Sequence, residues 1–77
     1  MENICVDACA TSRNIKKLCQ QKSITPAMLQ KELGDVTLQA TYSWMRESGK
    51  LPSIDNLVRI SYVLGVSLDD LVIVKRY

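Results

Sequence analysis

Apolar residues recur three and four apart along most of this chain, the period of helices with one buried face. Ile15, Leu18 and Cys19 set such a face for a first helix from about Thr11 or Ser12 to Lys22, whereas residues 1–10 carry only weak signals. Thr25 followed by Pro26 marks the start of a second helix. The hydroxyl accepts from first-turn amides, and proline has no amide to leave unpaired at the first helical position. Leu29 and Leu33 lie one turn apart on this helix, and Gly34 supplies the left-handed residue that ends it. Thr37 is the expected cap of a third helix running to about Arg46 or Glu47, with Thr41 and Trp44 facing inward. Gly49 and Pro52 then break the chain. Ser53 opens a fourth helix whose Ile54, Leu57, Ile60, Val63 and Leu64 form one stripe, closed by Gly65. Ser67 with Asp70 has the form of a capping box, so a short fifth helix is expected from about Leu68. The β-branched run Val72-Ile73-Val74 favours an extended segment with apolar side chains near the surface.

The pattern predicts an all-α fold: one compact five-helix domain over residues 1–77, with a helix-turn-helix at about 25–47. Two helices joined by Leu33-Gly34-Asp35-Val36-Thr37 must cross, and the second of the pair is left jutting from the surface. Its outer face shows Leu38, Gln39, Tyr42 and Ser43, and a protruding helix of this kind suits the width of a DNA major groove. No internal repeat, low-complexity stretch or interdomain linker interrupts the pattern.

Composition narrows the function. A chain of 77 residues that is 47% hydrophobic can bury one small core of marginal stability. Ten basic residues against eight acids give a net charge of +2, which permits nucleic-acid binding without requiring it. Distribution says more: Arg13, Lys16, Lys17 and Lys22 gather near the first helix, Arg46 and Lys50 follow the third, and Asp55, Asp69 and Asp70 come later. A charge run on a helix is usually a solvated face, so the first group is weighed as surface before contact. Three cysteines and no histidine argue against a complete disulfide framework and against the usual zinc patterns. Cys5 and Cys9, four apart, have a spacing that suits a soft metal on a helix, but small thiols are commoner, so free thiols with no metal and no cofactor are expected. The start Met1-Glu2-Asn3 lacks the regions of a secretory signal, and no apolar run approaches the ~20 residues of a membrane span. A soluble cytoplasmic protein with no membrane partner is expected. Without histidine, a glycine-rich phosphate loop or a base beside any cysteine, the chain is read as no enzyme.

Taken together, Ile24-Thr25, Leu29, Leu33-Gly34, Val36-Thr37, Trp44, Gly49-Lys50, Pro52-Ser53, Leu57, Ile60 and the run Leu64 to Leu71 resemble the lambda-repressor-like helix-turn-helix family, the Cro/repressor or xenobiotic-response-element type. The resemblance covers about Ile15 to Val72. The stretches Gln39 to Trp44 and Leu51 to Leu57 look most like small regulators from Gram-positive bacteria. This chain departs from the pattern in three places. Pro26 stands where the family often has a phosphate-contacting glutamine, Gln30 replaces a small alanine between the two helices, and Asp35 with the Glu47-Ser48 region lengthens the turn and the following loop.

The resemblance implies a DNA-binding transcriptional regulator, a repressor, whose third helix enters the major groove of double-stranded DNA while the second crosses the backbone. Base reading falls on Leu38, Gln39 and Ser43, with Tyr42 at the edge, and Gln39 is the strongest reader because a carboxamide both donates to and accepts from adenine. Phosphate contacts fall on Thr25, Thr37, Gly49 and Lys50. The short surface of one copy and the apolar tail Leu71 to Val74 point to a homodimer. The rival reading is a protein-interaction module or antitoxin-like regulator that presents the same helix to a protein partner.

Overall fold

A computed structural model describes residues 3–47 and 50–76. Along the chain run β1 (Ile4–Val6), α1 (Ala8–Gln21), α2 (Pro26–Leu33), α3 (Leu38–Met45), α4 (Ile54–Leu64), α5 (Leu68–Leu71) and β2 (Val74–Arg76). The five helices stand where the apolar period put them, but the all-α expectation is corrected by a small sheet. β1 and β2 pair antiparallel, with Ile4 opposite Arg76, Cys5 opposite Lys75 and Val6 opposite Val74. A strand of three residues paired with the far end of the chain leaves little local period to read, which is why Ile4 to Val6 give only a weak signal in the sequence.

Local chemistry sets the helix limits. α1 begins earlier than Thr11 because Asp7 is its cap, accepting from the Ala10 amide at 3.0 Å. Thr25, Thr37, Ser53 and Ser67 cap the other four helices, each accepting from the amide three residues on. Gly34 and Gly65 end α2 and α4 with φ of 83° and 69°; open space surrounds both, so backbone conformation and not crowding selects glycine. α3 stops at Met45, short of the expected Arg46 or Glu47, because Arg46 turns extended.

The helices close on one cluster: Ile15 and Cys19 of α1, Leu29 and Leu33 of α2, Trp44 and Met45 of α3, Ile60 and Leu64 of α4, and Leu71 of α5. Trp44 faces inward as its register with Thr41 required. Ile54 does not join the stripe; it is 77% exposed at the first position of α4. Leu71 is fully buried within its own chain, so the expectation that Leu71 to Val74 as a whole forms a pairing surface is corrected. Cys5 lies on β1 and Cys9 on α1, so their spacing is not that of one helix face. All three cysteines are free thiols.

The segment from Asp70 to Ile73 is tied to the start of α1 and its cap by polar contacts, most of them part-buried. The Asp7 amide donates to the Ile73 carbonyl at 2.8 Å, and the Thr11 hydroxyl accepts from the Ile73 amide at 3.0 Å while donating to the Ile73 carbonyl at 3.2 Å. Asn14 donates to the carbonyls of Asp70 and Leu71 at 2.7 and 3.0 Å, satisfying acceptors at the end of α5. The neighbouring Ser12 hydroxyl is buried with no hydrogen-bond partner among the described residues.

Thr11 and Ser12 therefore respond oppositely to loss of the hydroxyl. Thr11→Val leaves the Ile73 amide short of a partner and is expected to cost about 1–3 kcal/mol, whereas Ser12→Ala removes an unsatisfied buried oxygen and is expected to be neutral or stabilising by about 1 kcal/mol. Urea unfolding of both variants checks the signs. Cys19 adds a pH effect: burial pushes its thiol from 9.0 up to about 11. Below the lower value both states hold the proton; above it the unfolded chain ionises first, so stability falls as pH rises through this window. Cys19→Ala is expected to flatten that alkaline slope in urea melts, and an unchanged slope overturns the assignment.

Candidate nucleic-acid interface

α2 and α3 are too short to stand alone, and their mutual angle is set by what they bury and by the turn between them. The Gly34 amide bonds the Gln30 carbonyl at 2.9 Å, and the Gln30 side-chain amide donates to the Val36 carbonyl at 3.1 Å. Gln30 thus holds the turn from the α2 side, a use for the larger residue at that position. From the opposite side Arg59 of α4 donates to the Leu33 carbonyl and to the carboxylate of Asp35.

With Thr41, Trp44 and Met45 buried, the remaining face of α3 points outward. Leu38 is 42% and Tyr42 48% exposed, and Gln39 is exposed beside them. Ser43 is half-buried, so of the four expected readers it is the most recessed. The Thr41 hydroxyl turns back on its own helix, donating to the Leu38 carbonyl at 2.8 Å. The outer face carries no charged side chain between Leu38 and Met45.

Thr25 and Thr37 are both exposed at helix starts, accepting from Met28 and Ala40 amides at 3.1 Å. Each leaves other first-turn amides as donors at the positive end of a helix dipole. Lys50 is exposed ahead of α4, and Gly49 lies outside the described residues. Thr25, Thr37 and the outer face of α3 belong to one two-helix unit, whereas Lys50 belongs to the segment between α3 and α4.

Beside this unit opens a cleft of about 540 Å³ between the end of α1, the start of α2 and the end of α3. Lys16 and Gln20, Thr25 and Pro26, and Tyr42 and Arg46 line it, and no carboxylate among the described residues does. Arg46 was not among the expected site residues; it follows the last turn of α3 directly and lines the cleft with Tyr42. Arg13 is directed elsewhere: it pairs with Glu47 at 2.9 Å, an exposed contact that ties α1 to the segment after α3. Asp55, Asp69 and Asp70 sit on α4 and α5, leaving the cleft to the cations.

No curated protein matches the chain. Two solved structures resemble it: cobalt(II) HppE in complex with substrate, with a TM-score of 0.73 and 26% identity over 86% of this chain and 36% of that one, and iron(II) HppE, with 0.72 and 26% over 83% and 33%. The chain spans about a third of those HppE chains. A model of the helix-turn-helix family matches residues 15–71, from within α1 through α5 and including both crossing helices and their turn. That match takes in well over half of the sequence, and the chain belongs to the lambda-repressor- and Cro-like helix-turn-helix family.

Proposed function

We propose that this protein is a sequence-specific transcriptional repressor, without catalytic activity, that inserts α3 into the major groove of DNA in the cytoplasm. The observation that carries the reading is the division of labour around α3: an uncharged outer face with Gln39 at its centre, flanked by a cleft whose charged lining residues, among the described residues, are Lys16 and Arg46. Neutral side chains read base edges, and cations with helix starts hold phosphates. Tyr42 and Leu38 add apolar contact suited to thymine methyl groups. Repression needs nothing beyond occupancy of a promoter site, so the fold as described suffices for it.

A homodimer belongs to the same proposal. Val6, Ile54, Leu57, Leu68, Val72 and Val74 line an apolar concavity of about 430 Å³ on the α4, α5 and β2 side. Ile54, exposed at its edge, is the side chain whose burial a second copy would most improve. Contact through one such patch is self-complementary, and two recognition helices so related read half-sites about 34 Å apart. The modest net charge supports the protein-interaction alternative, and a flat salt dependence of binding to mixed-sequence DNA would select it.

Selection from a random duplex pool tests the reading, with an enriched palindrome expected. On the selected duplex Gln39→Ala is expected to weaken binding by about 1–3 kcal/mol with little change on mixed sequence, because a base contact carries discrimination. Lys50→Ala is expected to weaken both alike and to lower the salt slope by about one. Equal losses on both duplexes for Gln39→Ala remove it as a reader.

For the dimer, Ile54→Lys is the informative change, because truncating the tail would also remove Ile73 and its bonds to Asp7 and Thr11. The variant is expected to melt cooperatively, to sediment as a monomer and to bind a full palindrome no better than one half-site. A wild-type chain that sediments as a monomer on an asymmetric site refutes the dimer and leaves DNA binding standing.

A further inference from the structure

We infer that Arg59 is a positioning residue for DNA reading, clamping the turn before α3 so that Gln39 meets its base in register; the inference rests on the DNA-binding reading above. The Arg59 guanidinium reaches three acceptors from α4. One nitrogen donates to Asp35 Oδ1 at 2.8 Å and to Asn56 Oδ1 at 3.0 Å, and the other donates to the Leu33 carbonyl at 2.5 Å. Leu33 is the last residue of α2, where carbonyls have no partner inside the helix and a cation meets the negative end of the dipole. Asp35 is in the turn itself, in the stretch that is longer than the family pattern. The guanidinium therefore joins the end of α2, the lengthened turn and α4 through one planar fork, a geometry that lysine cannot reproduce.

An exposed Arg–Asp pair alone would hold little, and Asp35 is largely exposed. What sets this one apart is the shared carbonyl and the brace on the far side, where Gln30 holds Val36. The turn is gripped between α2 and α4, and it is the covalent route from α2 to α3. Small rotations matter here. An eight-residue helix is about 12 Å long, so a tilt of about 10° shifts its far end by about 2 Å, more than a hydrogen bond to a base edge tolerates. Arg59 need not touch DNA to set specificity.

The test compares wild type, Arg59→Ala, Arg59→Lys and Asp35→Ala as full chains. Residual dipolar couplings of backbone amides report the orientation of α3 against α2 without DNA. Binding is measured to a duplex selected by the wild type and to a mixed-sequence duplex over a salt series. Arg59→Ala is expected to remain folded, to change the α3 orientation, and to lose about tenfold or more of its preference for the selected duplex, the scale of one weakened base contact. Its salt slope is expected to stay at the wild-type value, and Arg59→Lys is expected not to restore the preference. Asp35→Ala, which removes one acceptor from an exposed position, is expected to move both readouts in the same direction and carries the test if Arg59→Ala fails to fold. Unchanged helix orientation in the folded variants overturns the clamp. A salt slope lowered by about one with orientation unchanged makes Arg59 a phosphate contact and also overturns it. If the wild type itself selects no sequence, the DNA-binding reading fails, while the orientation measurement still decides whether the clamp exists.

Discussion

Trp44 cannot leave the core without taking α3 with it, and on that constraint the rest of the molecule turns. An eight-residue helix has no stability of its own, so α3 exists because Thr41, Trp44 and Met45 are buried against α1 and α2. The same burial decides which residues are left outside. With the inner third of the circumference committed, Leu38, Gln39 and Tyr42 have nowhere to go but outward. On the proposed reading, function is the complement of packing: the side chains the core rejects are the ones that would meet DNA.

Short helices make their ends a large share of the structure. Each of the five has a side-chain cap at its start, from Asp7, Thr25, Thr37, Ser53 and Ser67. The carboxyl ends draw on residues from elsewhere: Arg59 serves the end of α2, and Asn14 serves the end of α5. Longer helices would need fewer such visitors per residue. The polar ties between Thr11 and Ile73 do for the chain ends what these visitors do for the helices, since the two three-residue strands alone would make a marginal sheet.

This division explains what could be read in advance. The caps Thr25, Thr37, Ser53 and Ser67, with Pro26, Gly34, Gly65 and the inward register of Trp44, are local facts, fixed by residues within one or two turns, and each stands where the spacing put it. β1, the Asp7 cap, the use of Gln30 and the fork of Arg59 were not legible, because each depends on a partner that only the folded chain brings near. Ile54 shows the limit of periodicity. It has the right phase for the stripe of α4, but a first-turn residue needs something opposite it, and no phase supplies that. Of the candidate site, the outer face of α3 and the capped starts at Thr25 and Thr37 were legible, whereas the cleft with Arg46 required the crossing of three helices to appear.

A net charge of +2 is small for the proposed grip on a polyanion, yet the sum hides a separation. Asp55, Asp69 and Asp70 occupy the α4 and α5 side, and Glu47 is paired with Arg13, so the cleft beside α3 keeps Lys16 and Arg46 without a lining carboxylate among the described residues. Fields in water fall off within about 8–10 Å at ordinary ionic strength, which is shorter than this domain is wide. A phosphate approaching the cleft is therefore governed by the charges around it and not by the total. On the proposed reading, low net charge is an advantage for discrimination: the weaker the sequence-independent attraction, the larger the share of binding that must come from the neutral face of α3.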